Sequence, residues 1–83
     1  MKITIKLFAV LTKYLPTDAF RNVAEIEVPD GAAVQDVIHH LKLPSEHCHL
    51  VLVDGVYIAP SERETQQMKS GQALAIWPPV AGG

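Results

Sequence analysis

The chain has 83 residues, with 7 lysines and arginines against 9 aspartates and glutamates, which gives a formal net charge of −2. A chain of this length forms one domain, whose core removes roughly 60–65% of the unfolded surface from water. Hydrophobic residues make up 48% and charged residues 19%, a globular rather than a disordered composition. The slightly acidic balance argues against a nucleic-acid-binding protein, which would carry a basic stripe.

Membrane spans, secretion signals and disulfide frameworks are all absent from the sequence pattern. The longest apolar runs, residues 7–11 and 73–77, have five residues each, whereas a membrane-spanning helix takes about 20. Met1 and Lys2 lead directly into an alternating pattern rather than into the apolar segment of a signal peptide. The single cysteine, Cys48, excludes an intrachain disulfide and a four-cysteine metal site. We therefore expect a small, soluble, cytoplasmic domain.

Hydrophobic periodicity predicts two strands at the start of the chain, with a short helix between them. Residues 2–8 alternate, with two isoleucines and a leucine on one face, as in a half-buried strand. Residues 10–15 have near-helical spacing and stop at Pro16, which predicts one or two helical turns. Residues 24–28 alternate again and end at the turn signal of residues 29–31.

The middle of the chain predicts one amphipathic helix and a tight hairpin. Residues 34–41 place apolar side chains at i, i+3, i+4 and i+7, and Pro44 limits the helix. Its start is weakly signalled, because alanines stand where serine or threonine would cap it. Residues 50–53 and 56–59 flank Asp54-Gly55, which predicts a hairpin with a type I′ turn.

Residues 61–71 are polar, with a turn at Ser70-Gly71, and we expect Glu62, Arg63 and Glu64 to form a solvated turn. The last strand is residues 73–77. One helix with a single apolar stripe must cover one face of the sheet. The simplest closure is an α+β fold of the β-grasp type, with about five strands in a mixed sheet, the first and last adjacent, packed on one main helix. We expect this domain to span residues 1–77, followed by an extended, flexible Gly-Gly tail at residues 78–83.

The tail has the sequence Pro-Pro-Val-Ala-Gly-Gly. The two prolines favour an extended polyproline conformation, so six residues reach on the order of 20 Å. The two glycines carry no Cβ, so the backbone fits a narrow tunnel. A terminal carboxyl, with a pKa near ~3.5, is an anion and a poor electrophile at neutral pH. Chemistry there needs activation by another protein, typically as an acyl-adenylate made from ATP. The alternative is a frayed terminus without function.

This ending resembles that of the MoaD/ThiS family of ubiquitin-like sulfur carriers, and most of all its branch of molybdopterin synthase small subunits. Residues 3–11, which include Leu-Phe-Ala, resemble the first strand and short helix of the family. Residues 51–55 resemble its hairpin, and Ser70-Gly71 its turn before the last strand. The chain departs from the family at residues 71–74, where Gly-Gln-Ala-Leu replaces the usual Gly-Asp-Glu-Val.

The resemblance implies a carrier that is not itself a catalyst and binds no cofactor. A ubiquitin-activating-like adenylyltransferase uses ATP to adenylate Gly83, and a sulfur donor such as a cysteine desulfurase or rhodanese converts Gly83 to 1-thioglycine, a thiocarboxylate. The large subunit of molybdopterin synthase then passes the sulfur to cyclic pyranopterin monophosphate, for the molybdenum or tungsten cofactor. By the same resemblance, the tail residues inserted into the partner's active site are Pro78, Pro79, Val80, Ala81 and Gly82.

Three other functions remain open at this point. The chain could carry sulfur for thiamine or for another sulfur metabolite. It could be a ubiquitin-like modifier that is joined through Gly83 to lysines. It could also be an interaction domain whose tail is inert.

Strand parity predicts an exposed aromatic patch. Phe8, Tyr57 and Trp77 each lie opposite the apolar residues of their strands and so point to the outer face of the sheet. Exposed aromatic clusters are typical of protein interfaces. In the resembled family, similar positions dock the large subunit and the activating enzyme. The alternative is that the rings cover the edges of the core.

The histidines and the cysteine do not form a metal-binding pattern. His39 and His40 are adjacent on a helix and cannot converge on one ion. His47 and His49 flank Cys48 without Cys-x-x-Cys or His-x-x-x-His spacing. We expect solvated histidines, a buried thiol and no metal site. A glycine loop for phosphate is also missing, so ATP is not expected to bind this chain.

Overall fold

The computed structural model describes residues 1–79 of the chain. Its elements are strands β1 (Lys2–Leu7), β2 (Val23–Glu27), β3 (Leu50–Val53), β4 (Val56–Tyr57) and β5 (Ala73–Trp77), the helix α1 (Val34–His40), and 3₁₀ helices at Ala9–Tyr14, Ser45–His47 and Pro60–Glu62. The predicted strands, helix and first short helix are confirmed, with bounds within two residues. At seven residues, α1 is the longest helix in this range, where no helix has the length and apolarity to cross a bilayer.

The five strands form one mixed sheet in the order β2-β1-β5-β3-β4. β1 and β5 pair in parallel, with Ile5 opposite Leu74, so the first and last strands are adjacent as predicted. The other neighbours pair antiparallel. With one main helix against this sheet, the architecture is the ubiquitin-like β-grasp fold.

The core lies between α1 and one face of the sheet, the inner face. Alternate residues of the strands meet the apolar stripe of the helix there, because strands repeat every two residues and helices every 3.6. The most deeply buried side chains are Ile3, Ile5, Leu7, Val51, Leu74 and Ile76 from the sheet, Val34, Val37 and Ile38 from α1, and Leu11 from the first 3₁₀ helix. Each contributes about 1.5–3 kcal/mol relative to an exposed position.

The β3–β4 hairpin turns at Asp54 and Gly55 and is tied to the central strand. Their φ angles are +48° and +83°, both left-handed, as a type I′ turn requires. The Asp54 N–H donates to the Ala73 carbonyl at 2.9 Å, and Asp54 Oδ1 accepts the Ala73 N–H at 2.9 Å. The turn therefore also holds the start of β5 in register.

The connection between β4 and β5 corrects the expectation of a solvated turn. Glu62 and Glu64 are exposed, but Arg63 between them is only 6% exposed, and Met68 is 2% exposed. The Arg63 Nη2 lies 3.5 Å from the His49 carbonyl oxygen, to which it donates. The segment folds inward at these two residues, although its composition is polar.

This inward fold caps α1. The carbonyls of Arg63 and Gln66 accept the N–H groups of Gln35 and Val34 at 2.8 and 2.9 Å. Asp36 accepts the N–H of the alanine at the N-cap, at 2.9 Å. These groups accept hydrogen bonds from amides at the start of the helix, which an alanine N-cap cannot do because its side chain has no acceptor. The connection therefore supplies the cap that the sequence around the helix start lacks.

Candidate functional site

The base of the tail lies at the end of the central strand. β5 has two strands on each side, and the Trp77 carbonyl accepts the His49 N–H at 3.0 Å. Pro78 is buried and Pro79 is exposed, so the chain reaches the surface at Pro79. The predicted tail positions Val80, Ala81, Gly82 and Gly83 lie outside the described residues.

Phe8 and Trp77 stack on each other beside this exit. Their ring centroids are 4.3 Å apart and their planes differ by 2°. Parallel pairing of β1 and β5 sets Leu7 opposite Ile76. The next residue on each strand therefore projects to the other face of the sheet, the outer face. A stacked pair contributes about 0.5–1.5 kcal/mol beyond its buried area, so the rings form a fixed apolar plate.

A shallow groove of about 590 Å³ begins at this plate and crosses the outer face. The small side chains of Ala73 and Ala75 leave room between Trp77 and the β3–β4 turn. Opposite charges border the groove, with Lys6 on the β1 side and Asp54 on the hairpin side. The groove can therefore accept an apolar side chain from a partner between two charged groups.

Tyr57, the third predicted aromatic, lies apart from the stack. It pairs with Leu52, which pairs with Ala75, so it shares the outer face but lies two strands from β5. Tyr57 is 53% exposed at the β4 edge. The structure thus brings Phe8 and Trp77 together and leaves Tyr57 at the rim. Their role in docking a partner stays a prediction.

Two leucines on the same face were missed by the sequence analysis. Leu50 pairs with Trp77 and Leu52 with Ala75, so both leucines project outward. β3 reads Leu-Val-Leu-Val, and without polar alternation the sequence does not tell which residues face the core. The pairing of Leu50 with Trp77 shows that the two leucines lie on the outer face. We call Phe8, Leu50, Leu52 and Trp77 the outer patch.

Cys48 is a buried thiol, as predicted. It is 4% exposed, and its Sγ donates to the Pro44 carbonyl at 3.4 Å. Burial raises the pKa of the Cys48 thiol above its ordinary value of 9.0, with the Arg63 charge lowering it and Glu46 raising it. A raised pKa leaves little thiolate at neutral pH. Cys48 is therefore poorly suited to nucleophilic chemistry.

The four histidines are exposed and lie in separate segments. His39 and His40 end α1, whereas His47 and His49 lie near the start of β3. His39 Nε2 lies 3.1 Å from the side-chain nitrogen of Gln35. Across residues 1–79, no three histidine, cysteine or carboxylate side chains are grouped as metal ligands.

Comparison with known proteins connects this geometry to a family. The sequence model of the ThiS family matches residues 5–83, so the match includes the tail. No curated protein sequence matches the chain.

Solved structures similar to this chain align over nearly its whole length. SAMP1 from Haloferax volcanii aligns with a TM-score of 0.69 and 26% identity over 100% of both chains. The putative molybdopterin converting factor, subunit 1, from Pyrococcus furiosus aligns with a TM-score of 0.67 and 26% identity, covering 95% of this chain and 98% of that one. A complex of subunits 1 and 2 of molybdopterin-converting factor from Helicobacter pylori contains a chain with a TM-score of 0.62 and 17% identity over 100% of both chains. At 17% identity, the similarity to the Helicobacter pylori chain shows a shared fold.

Proposed function

The chain belongs to the ThiS family of ubiquitin-like sulfur carriers, and from this premise we propose that it is the sulfur-carrying small subunit of a molybdopterin synthase. In this proposal Gly83 is adenylated, converted to a thiocarboxylate, and donates its sulfur to cyclic pyranopterin monophosphate. The observation that carries the proposal is the family match through residue 83, which includes the Pro-Pro-Val-Ala-Gly-Gly ending.

The chemistry of the proposal places the reacting groups on the partners. The Gly83 carboxylate attacks the α-phosphate of ATP on the activating enzyme, which forms an acyl-adenylate and releases pyrophosphate. The outer sulfur of the donor's persulfide then displaces AMP and forms an acyl disulfide. A thiol cleaves its S–S bond, which releases the thiocarboxylate and leaves a disulfide on the donor. This chain supplies the carboxyl group and the tail that carries it away from the sheet. The proposal requires a free α-carboxyl at Gly83.

The Pro-Pro ending favours the molybdopterin pathway, because it resembles the ending of that branch of the family. The Pyrococcus furiosus subunit supports the same pathway, with 26% identity over nearly the full length. The Helicobacter pylori structure is a complex of subunit 1 with subunit 2. We therefore propose a large synthase subunit as the partner that receives the tail, besides an activating adenylyltransferase and a sulfur donor.

The outer patch is the surface that we propose for docking these partners. It lies beside the point where the chain leaves the sheet, and its stacked rings are fixed before binding. From Pro79 onward, five residues reach at most about 17 Å. A partner that binds the outer patch therefore receives Gly83 within that distance of the patch.

A second candidate function is that of a protein modifier. Its support is the similarity to SAMP1, which equals the similarity to the molybdopterin factor in identity and covers the whole of both chains. SAMP1 is a small archaeal modifier protein. The first step is the same in both functions. The difference is the acceptor, which is a lysine amine for a modifier.

Intact-mass spectrometry tests the proposal. The full chain is incubated with an activating enzyme, ATP, a persulfide sulfur donor and a thiol reductant. A thiocarboxylate adds the mass difference between sulfur and oxygen, whereas a persulfide on Cys48 adds a whole sulfur atom. Cys48→Ala is the matched control and should gain the same mass as the parent. Addition of a large subunit and cyclic pyranopterin monophosphate should reverse the gain.

Two results contradict the proposal. A chain that never gains this mass is not a sulfur carrier under these conditions of activation. A loaded chain that forms lysine-linked conjugates but does not sulfurate the pterin is a modifier.

A further inference from the structure

The sheet has one long open edge, at β2. The other edge strand, β4, has two residues, whereas β2 has five. The hydrogen bonds at the ends of the β1–β2 pair fall on Asn22 and Val28. Because bonding alternates along an antiparallel pair, the even-numbered residues of β2 bond to β1, and Glu25 and Glu27 direct their N–H and C=O groups away from the sheet. Within residues 1–79 these groups have no backbone partner.

An apolar cavity lies at the C-terminal end of this edge. It has a volume of about 330 Å³, between the segment that follows β2 and the side of α1. Val28, Ala32 and Val37 contribute apolar walls, and Asp36 and His40 lie on the helix side. The side chain of Ile26 lies on the same face of β2 as Val28 and is partly exposed. An apolar side chain that lies alongside β2 on its inner side therefore has a site to fill.

A second cavity, of about 400 Å³, lies at the N-terminal end of the same edge. Phe20 is 74% exposed there and Val23 is 38% exposed. Phe20 and Val23 exchange two backbone hydrogen bonds, at 2.9 and 3.1 Å, which close the edge at Val23. The open part of the edge thus ends against an exposed phenylalanine.

Acidic side chains border the edge along its length. Those exposed are Asp18, Glu25, Glu27, Asp30 and Asp36. Cations also lie nearby: Arg21 lies over the Phe20 ring in the second cavity, and Lys2 is opposite Glu27. The N-terminal ammonium is 3.6 Å from a carboxylate oxygen of Glu27 and 3.1 Å from one of Asp30. Glu25, in the centre of the edge, faces Thr4 instead. The surface next to the open backbone groups is therefore mainly negative.

We propose that the β2 edge binds an extended segment of a partner protein in which lysine or arginine alternates with apolar residues, added as a sixth strand of the sheet. Main-chain bonds to Glu25 and Glu27 supply affinity, as in other cases of strand addition. Partner residues opposite these glutamates share their outer face and are basic. The residues between them point to the α1 side and are apolar. At about 3.4 Å per residue, roughly seven residues reach from one cavity to the other.

The charge pattern also separates this partner from a second copy of the chain. Antiparallel pairing of two β2 edges would set glutamates against glutamates, which is destabilising. The outer patch lies around the central strand β5, beside the exit of the tail, and includes no residue of β2. The β2 edge can therefore be occupied while the tail is in a partner's active site, and the inference does not depend on the proposed function.

A synthetic peptide tests the inference. The probe is a capped heptapeptide, Lys-Val-Lys-Val-Lys-Val-Lys, titrated into the ¹⁵N-labelled full chain at low ionic strength, with amide exchange measured in the complex. We expect a dissociation constant below about 1 mM. We also expect slower hydrogen exchange of the Glu25 and Glu27 amides in the complex. The peptide with glutamate in place of lysine should bind at least about tenfold more weakly.

Charge variants of the chain complete the test. Glu25→Lys with Glu27→Lys should weaken binding at least about tenfold. Glu46→Lys with Glu64→Lys, exposed positions elsewhere, makes the same change in net charge and should leave binding within about twofold. Glu25→Pro removes an outward N–H that β1 does not use and should abolish the exchange protection. No binding, binding that both charge variants weaken equally, shifts confined to the outer patch, or self-association of the chain would each overturn the inference.

Discussion

At the scale of single residues, a substitution of Trp77 tests whether the outer patch docks a partner. We expect Trp77→Lys to weaken the complex with a synthase large subunit by about 2 kcal/mol or more, since a fixed aromatic anchor at an interface centre costs this much when lost. The stack with Phe8 is also lost, but the residue is outside the core. Titration calorimetry measures the affinity, and urea unfolding reports whether the domain keeps its fold.

Val56→Lys is the matched control for Trp77. Val56 is 65% exposed, and it pairs with Val53, whose side chain faces the core side of the sheet. The same charge is therefore introduced on a different face, and the affinity should stay within about threefold of the parent. If Trp77→Lys also binds the large subunit as tightly as the parent, the outer patch has no part in docking.

Cys48 provides a pH-dependent test of burial. Burial raises the pKa of its thiol above 9.0 in the folded chain, so the neutral thiol is favoured on folding. This contribution to stability is complete below the unfolded pKa and is lost as pH rises through the folded one. The unfolding free energy of the parent should therefore fall relative to that of Cys48→Ala as pH rises above the ordinary thiol pKa of 9.0. If the unfolding free energies of the parent and of Cys48→Ala depend on pH in the same way, the thiol is not buried.

At the scale of elements, the β3–β4 turn should be sensitive to Asp54. Asp54→Ala removes the acceptor of the Ala73 N–H and places alanine at a φ of +48°. We expect a loss of about 1–2 kcal/mol in unfolding free energy. Asp54→Asn keeps an oxygen acceptor and tolerates the left-handed conformation, so it should cost less than about 0.5 kcal/mol. Equal losses for the two variants would contradict the role given to this turn.

Elements with a clear period or a specific turn could be predicted from the sequence. β1 alternates polar and apolar residues, so both its extent and its buried face follow from residues 2–8. The stripe of α1 fixes its buried face in the same way. Asp54-Gly55 fixes the hairpin, because few residues adopt two successive left-handed conformations.

The elements that were mispredicted or missed lack such a local signal. β3 is apolar at each position, so only its pairing with β5 assigns Leu50 and Leu52 to the outer face. Arg63 is polar, and its burial depends on α1 needing backbone acceptors from a segment far along the chain. Stacking of Phe8 on Trp77 likewise depends on which strand lies beside β1. Tertiary pairing decides these features.

At the scale of the whole molecule, the strand order separates the β2 edge from the outer patch and the exit of the tail. The outer patch and the exit of the tail lie around the centre of the sheet, and the open acidic edge lies at β2. A partner that receives the tail thus need not cover the β2 edge. Under the proposed function, one protein can hold the domain at the β2 edge while another receives its terminus.

The length of the tail is the feature of the whole chain on which sulfur delivery should depend most. Removal of Gly83, or addition of one residue after it, displaces the reacting carboxyl by about 3.5 Å. Misplacement of a reacting group by this much costs about a hundredfold or more in rate, so thiocarboxylate formation and pterin sulfuration should both fall to that extent. Urea unfolding should stay as in the parent, because β5 ends at Trp77. Val80→Ala is the control, because it keeps the length and the terminal glycines, and it should retain most of the activity. Sulfuration at the parental rate by the shortened chain would show that the reaction does not use this terminus.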